Sequence, residues 1–178
     1  INPSKMPMRA AVSAPLGFDV AIWDALERLT TGSSLVLDLP SMADLHLFAE
    51  AITEKKIESI YLPAAIVPIL ADIWKDSKRK PTLFEVLTGA DVLEHKPITA
   101  LAAYSQSPVI INGYGPTECT TCSSWIVVDT NSDLVNHRIP IGRPIQNTQI
   151  FILDASLNPL PVGVVGELYI AGAGLARG

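Results

Sequence analysis

The sequence predicts an α/β fold, a parallel sheet with crossover helices followed by a smaller, mostly β portion. Three observations predict it. Up to Glu118, apolar runs of strand length alternate with stretches of helical periodicity. After Glu118 the apolar runs become short, are separated by Pro and Gly, and carry no helical period. Of the 178 residues, 48% are hydrophobic, enough for one sizeable core or two small ones.

The elements follow in order. Phe18 to Leu29 carries Val20, Trp23, Ala25, Leu26 and Leu29 at helical spacing before Thr31 and Gly32 break it, which predicts a helix with an apolar face. Ser34 to Leu39 reads as a strand, Met42 to Lys55 as a helix and Ile57 to Leu62 as a strand. Ala64 to Trp74 reads as a helix with Pro68 near its start, where proline is tolerated. Pro81 to Leu87 leads into a strand, Pro97 to Tyr104 into a helix, and Val109 to Ile111 into another strand. Strands separated by helices of this length imply parallel pairing through crossovers. Beyond them, Ser123 to Val128, Gln149 to Leu153 and Glu167 to Ala171 read as short strands. A segment rich in Asn, Asp and Ser, Asp129 to His137, marks the expected boundary, giving parts 1–128 and 129–178. No internal repeat or low-complexity tract interrupts them.

Charge and hydropathy exclude several roles. The net charge is −5 and basic residues cluster only between Lys75 and Lys80, so a nucleic-acid or membrane-surface partner is not expected. No apolar run approaches the roughly 20 residues that span a bilayer, and the N-terminus has no signal-peptide pattern. The expected location is cytoplasmic. The chain opens on Ile1 rather than Met and stops at Gly178 within a glycine-rich stretch, so it reads as a piece of a longer protein.

The most informative segment is Asn112 to Glu118, Asn-Gly-Tyr-Gly-Pro-Thr-Glu, directly after the apolar run Val109 to Ile111. A turn-forming polar loop is expected at the end of a buried strand, where open α/β sheets collect their ligands. An aromatic ring, two glycines, a hydroxyl and a carboxylate meet there, groups that a nucleotide with its metal needs, so ATP is expected at this loop. Taken alone, the Gly-Pro pair reads first as an ordinary turn.

Three further segments accompany it: Gly17 to Trp23 (GFDVAIW), Ile139 to Pro144 (IPIGRP) and Gly166 to Gly178 (GELYIAGAGLARG). In this order and at about this spacing, the four together resemble adenylation domains of nonribosomal peptide synthetases, members of the adenylate-forming superfamily. The resemblance covers essentially the whole chain and implies that it is part of the large N-terminal subdomain of such an enzyme. Residues 1–128 would be the α/β core with substrate pocket and ATP loop, and 129–178 a truncated β-rich part.

The resemblance implies a two-step reaction using ATP and Mg²⁺. An amino-acid carboxylate attacks the α-phosphate to give an aminoacyl adenylate and pyrophosphate. A phosphopantetheine thiol on a peptidyl carrier domain then takes the acyl group as a thioester, with a condensation domain of the same synthetase as a further partner. Glu118 matches the family's Mg²⁺-binding glutamate, a hard oxygen ligand, and Thr117 the hydroxyl that bonds the phosphates. Tyr114 matches the ring on which adenine stacks. Gly115 and Pro116 shape the turn, and Asn112 and Gly113 complete the nucleotide site. Asp19 resembles the aspartate that pairs with the substrate's α-ammonium; judged alone it reads as a helix N-cap. The family's small hydroxyl residue two positions after that aspartate is Ala21 here.

By motif, the resemblance places Asp19, Val20, Trp23, Tyr61, Leu87, Gly89, Gly113, Thr121 and Cys122 around the substrate side chain. Apart from Asp19 this lining is apolar, and a charged side chain would be buried there without a partner. A neutral, aliphatic amino acid is expected. Trp23 alone reads equally well as a core residue.

Weaker signals point elsewhere. Cys119 and Cys122 have C-x-x-C spacing but no second pair, and His46, His95 and His137 are not spaced with them, so neither zinc nor redox chemistry is expected. Gly172 to Gly178 resembles a dinucleotide fingerprint with its last glycine one position late; Gly166, Glu167 and Arg177 read as structural or hinge-adjacent. Asp91 to Glu94 reads as a solvated start of a helix. The family's phosphate loop would precede Ile1, and its ribose-binding aspartate and catalytic lysine would follow Gly178. The segment by itself is therefore expected to be inactive. Two alternatives stand beside this reading: an acyl or aryl acid adenylate-forming ligase, and a degenerate, non-catalytic nucleotide-binding module.

Overall fold

The computed structural model describes residues 6–106, 108–131 and 137–177. Nine strands and four α-helices run β1 (Arg9–Ala11), α1 (Asp19–Thr30), β2 (Ser34–Val36), α2 (Leu45–Glu54), β3 (Ser59–Pro63), α3 (Val67–Asp76), β4 (Glu85–Gly89), α4 (His95–Tyr104), β5 (Val109–Tyr114), β6 (Ser124–Val127), β7 (Arg143–Pro144), β8 (Thr148–Leu153) and β9 (Glu167–Gly172). One sheet has the order β2-β1-β3-β4-β5-β6-β7, and β8 and β9 form a separate pair. From β2 to β5 every pairing is parallel. β6 and β7 then add antiparallel to the edge. The expected fold class holds, a parallel sheet with crossover helices and a smaller antiparallel β portion.

Strand alternation divides the sheet into two faces. Ile60, Leu62, Val86 and Ile110 join Phe48 of α2, Leu70 and Trp74 of α3 and Leu101 of α4 in the main core. Their neighbours Tyr61, Leu87 and Ile111 form a smaller cluster with Val20 and Trp23 of α1. Helices therefore cover both faces, with α1 alone on the second. Continuous burial along β3 and β4 is what a parallel sheet covered on both sides requires.

Several boundaries shift for local reasons. α2 starts at Leu45 because the Asp44 carboxylate accepts the Leu47 N–H at 3.0 Å, a side-chain cap that halts the helix short of Met42. The first turn after β3 is a 3₁₀ turn, Ala64–Ile66, and Pro68 sits in the opening turn of α3. β5 runs on through Asn112 and Gly113 to Tyr114, so the first three residues of the expected loop are strand, held by β4 on one side and β6 on the other. Sequence reading missed β1, three residues whose two alanines carry little apolar signal. Of the boundary segment Asp129 to His137, residues 132–136 lie outside those described, as does Gly178 of the glycine-rich end.

The apolar face expected of α1 holds at Val20 and Trp23 and is overturned at Leu26 and Leu29. Leu26 and Leu29 are more than half exposed, while Ala21, Asp24 and Arg28 are the helix's buried residues. An ionic cluster explains the inversion. Arg28 reaches Glu85 at the start of β4 with Nη1, Asp24 at 3.4 Å and Glu27 at 3.0 Å, and Ser59 Oγ donates to Glu85 Oε1 at 3.1 Å. A helix that brings a guanidinium to a buried carboxylate must turn that face to the sheet.

Candidate functional site

β3, β4 and β5 end side by side, Pro63 in register with Gly89 and Gly89 with Gly113. The C-terminal edge of a parallel sheet is where α/β folds place their sites. Close backbone approach builds the wall there. A Cβ on Gly89 would collide with the carbonyl of Gly113, and one on Gly115 would stand 2.6 Å from Thr121 O and 2.7 Å from Ser123 N. Neither position admits a side chain without moving backbone. The Tyr114 carbonyl accepts the Ser123 N–H at 2.7 Å, closing the bend from β5 into β6.

Between those strand ends and the start of α1 lies a cavity of about 830 Å³, a size that suits a small-molecule ligand. Of the residues expected at the two subsites, Asp19, Val20, Trp23, Tyr61, Gly89, Asn112, Gly113, Tyr114, Gly115, Pro116, Thr117, Thr121 and Cys122 line it. Leu87 does not. Its side chain, 4% exposed, packs beneath the floor with Tyr61, Ile111 and Trp23. Glu118 is also off the wall, exposed on the 3₁₀ turn Thr117–Cys119 that begins at the rim. Trp23 serves both of its readings, touching the cluster and facing the cavity.

Asp19 is the first residue of α1, and its Oδ1 accepts the Val20 N–H at 2.8 Å. The residue before it, Phe18, contributes no side-chain cap. The carboxylate thus does part of a cap's work while facing the cavity, and the positive end of the helix dipole favours its charge. Opposite it, burial pushes the Tyr61 phenol above its ordinary pKa, helped by the negative charges of Asp19 and Asp24. Burial likewise pushes the Cys122 thiol up; its Sγ donates to Ser124 O at 3.4 Å. Cys119 and Cys122 are both free thiols.

Sequence reasoning missed part of the lining. Thr88, Ala90 and Asp91 sit at or just past the end of β4, and Arg138, Ile139 and Ile141 cross the mouth from the segment before β7. Position was the available signal, since residues flanking Gly89 must share its strand end. Asn112 explains how the second group arrives: its Nδ2 donates to Pro140 O at 2.9 Å. Arg138 is the one Lys or Arg in the lining among the described residues.

The wall fits a polar ligand. The Thr88 hydroxyl is buried with no hydrogen-bond partner among the described residues, an unmet capacity that a bound polar group could meet. For a metal, no cluster of three or more His, Cys, Asp or Glu exists among the described residues. Glu118 next to Thr117 offers one carboxylate and one hydroxyl, a donor set that suits Mg²⁺, which takes one or two carboxylates and fills its shell with phosphate and water. Strain collects at the same place. Thr120 (φ 59°) and Thr121 (φ 68°) are consecutive left-handed residues, and Ala90 (φ 67°) is another on the cavity wall. Such outliers persist where surrounding contacts over-determine them.

Among the described residues, no helix is long and apolar enough to cross a membrane. Residues 4–178 match the family described as AMP-binding enzyme. The chain is 35% identical over 167 residues to gramicidin S synthase 1 of Brevibacillus brevis, covering 93% of this chain and 14% of that protein. To malpibaldin synthetase of Mortierella alpina it is 34% identical over 171 residues, 96% of this chain and 3% of that one. In structure it is similar to holo-PA1221, a nonribosomal peptide synthetase protein with adenylation and PCP domains, with a TM-score of 0.78, 31% identity, and coverage of 97% of this chain and 30% of that one. The chain thus spans a small part of the curated relatives it matches.

Proposed function

We propose, from the premise that this chain belongs to the AMP-binding enzyme family, that it is the pocket-bearing part of an adenylation domain that activates an amino acid with MgATP for nonribosomal peptide synthesis. On this reading residues 1–128 supply the substrate pocket and nucleotide turn, and 129–178 begin the β-rich part. The observation that carries the reading is the cavity shared by Asp19 and the Tyr114 to Thr117 bend, with Glu118 at its rim.

Chemistry assigns the roles. The Asp19 carboxylate pairs with the substrate's α-ammonium, a charge-assisted contact in a shielded site. Val20, Trp23 and Tyr61, none of them charged, surround the side chain, so a neutral, aliphatic residue fits best there, while Asp91 and Arg138 also line the cavity. Tyr114 offers its ring to adenine, Asn112, Gly113, Gly115 and Pro116 frame the nucleotide, and the Thr117 hydroxyl donates to a phosphate oxygen. The substrate carboxylate oxygen attacks the α-phosphorus as the bond to the β-phosphate oxygen breaks and pyrophosphate leaves. Glu118 would hold Mg²⁺, which when bound would supply neutralisation of the phosphate charge. This chain's own groups fix the two reactants in one geometry, where proximity lowers the barrier. Arg138 alone cannot balance a triphosphate, so further cations come from the rest of the domain. The acyl group then passes to a phosphopantetheine thiol of a peptidyl carrier domain, with AMP leaving, and a condensation domain acts after it. A cytoplasmic location suits these substrates.

The test is ATP–pyrophosphate exchange by the complete adenylation domain over a panel of amino acids and their deamino analogues. Exchange with a neutral aliphatic amino acid, absent with its deamino analogue and lost in Asp19→Ser, is the expected result. Equal exchange with the deamino analogue would make the enzyme an acyl-acid ligase. No exchange at all would leave a non-catalytic module.

A further inference from the structure

The left-handed pair at Thr120 and Thr121 has a visible restraint on one side. Thr120 Oγ1 donates to Gly174 O at 2.7 Å, and the Ala176 N–H donates to Glu118 O at 2.7 Å. Between these two bonds the backbones nearly touch, since a Cβ on Gly174 would stand 3.0 Å from Cys119 O. The loop after β9 is itself anchored, its Ala173 N–H donating to Asn147 O at 3.0 Å just before β8. A rigid hairpin, β8 with β9 over six paired positions, therefore grips the second half of the turn that carries Glu118 and the left-handed residue that follows it.

The grip has a chemical consequence. Glu118 is exposed, so packing does not fix its position, and its backbone is set by the 3₁₀ turn and by the left-handed residues after it. Thr120 lies at φ 59°, ψ 59°, a conformation that a β-branched residue adopts only under constraint. Its own hydroxyl provides that constraint. We propose that Thr120 is a positioning residue for the Glu118 carboxylate, acting through Gly174, so that the glycine-rich loop after β9 sets the geometry of the metal ligand. This rests on the reading of Glu118 as the Mg²⁺ ligand.

Binding to the complete adenylation domain tests it by calorimetry, with ATP in excess Mg²⁺, with ATP in EDTA, and with the amino acid alone. Loss of one hydrogen bond that holds a strained turn should weaken MgATP about three- to ten-fold in Thr120→Val. Metal-free ATP and the amino acid should bind as before, because neither depends on where the Glu118 carboxylate points. Thr120→Ser, which keeps the hydroxyl, should restore MgATP affinity. Gly174→Ala, which presses on Cys119 O from the other side, should reproduce the Thr120→Val phenotype in a variant with Thr120 intact. Unchanged MgATP affinity in both Thr120→Val and Gly174→Ala would overturn the proposal. So would equal losses of MgATP and metal-free ATP, the mark of a merely structural role, or failure of Ser to rescue. A wild-type domain that binds no MgATP would overturn the functional reading along with it, whereas the other outcomes bear on Thr120 alone.

Discussion

Asp24→Asn should stabilise the protein near neutral pH, and the gain should disappear in acid. Asp24 is 1% exposed and shares one guanidinium, Arg28, with Glu27 and Glu85. Its Oδ2 has no hydrogen-bond partner among the described residues. Burial pushes its carboxyl from the ordinary 3.8 up to about 6, Arg28 offsetting only part of that cost. Burial by itself would lower the pKa of Arg28, but Glu85, then Asp24 and Glu27, outweigh it and hold the guanidinium above its usual value. The cluster therefore sets three carboxylates against one guanidinium. Because the folded pKa is raised, protonated Asp24 contributes stability that is fully present below pH 3.8 and is lost as the pH rises through about 6. At about 1.4 kcal/mol per pH unit that interval amounts to roughly 3 kcal/mol. Asparagine keeps an oxygen for Arg28 Nε and brings no charge. The stability of the variant minus that of the wild type, from urea unfolding of the complete domain at several pH values, should therefore rise by about 2–3 kcal/mol between pH 4 and pH 7. Taking the difference cancels the titrating groups that do not interact with Asp24. A flat difference, or one that falls as pH rises, would mean that the Arg28 pairing outweighs desolvation and that the reasoning fails.

Two other perturbations probe the strand ends. Ala90→Gly should raise stability by about 0.5–1 kcal/mol by relieving a left-handed alanine, while Ala90→Val should lower it; opposite signs in thermal melts are the check. Gly89→Ala should cost about 1–3 kcal/mol because its methyl meets backbone of β5 rather than a movable side chain, and an unchanged melting temperature would show that the strand ends are looser than the register implies.

Much of the fold was legible because strand and helix periods alternate cleanly between Ser34 and Ile111, and because Gly and Pro mark the change to β. The errors have physical sources. α1 carries its apolar residues at helical spacing, yet it buries Asp24 and Arg28, since the pattern cannot register a partner such as Glu85 that arrives from a distant strand. β1 was invisible because two of its three residues are alanines. Asn112 to Tyr114 looked like loop because Asn and Gly favour turns, whereas neighbouring strands on both sides hold them extended. Within the site, motif residues on strand ends and at the start of α1 reached the cavity, while Leu87, on the same face as Gly89 but two residues further down β4, is buried beneath it in the Tyr61 cluster. Thr88, Asp91 and Arg138 carry no motif of their own and became visible only when β4 and the segment before β7 met at one opening.

On the proposed reading, the bend from Tyr114 to Glu118 holds a magnesium-bound nucleotide. A structure of the complete domain with MgATP and its amino acid tests this most directly. The adenine should lie against the Tyr114 ring and a Glu118 carboxylate oxygen about 2.1 Å from the metal. A nucleotide bound away from that bend, or a metal that Glu118 does not touch, would contradict it.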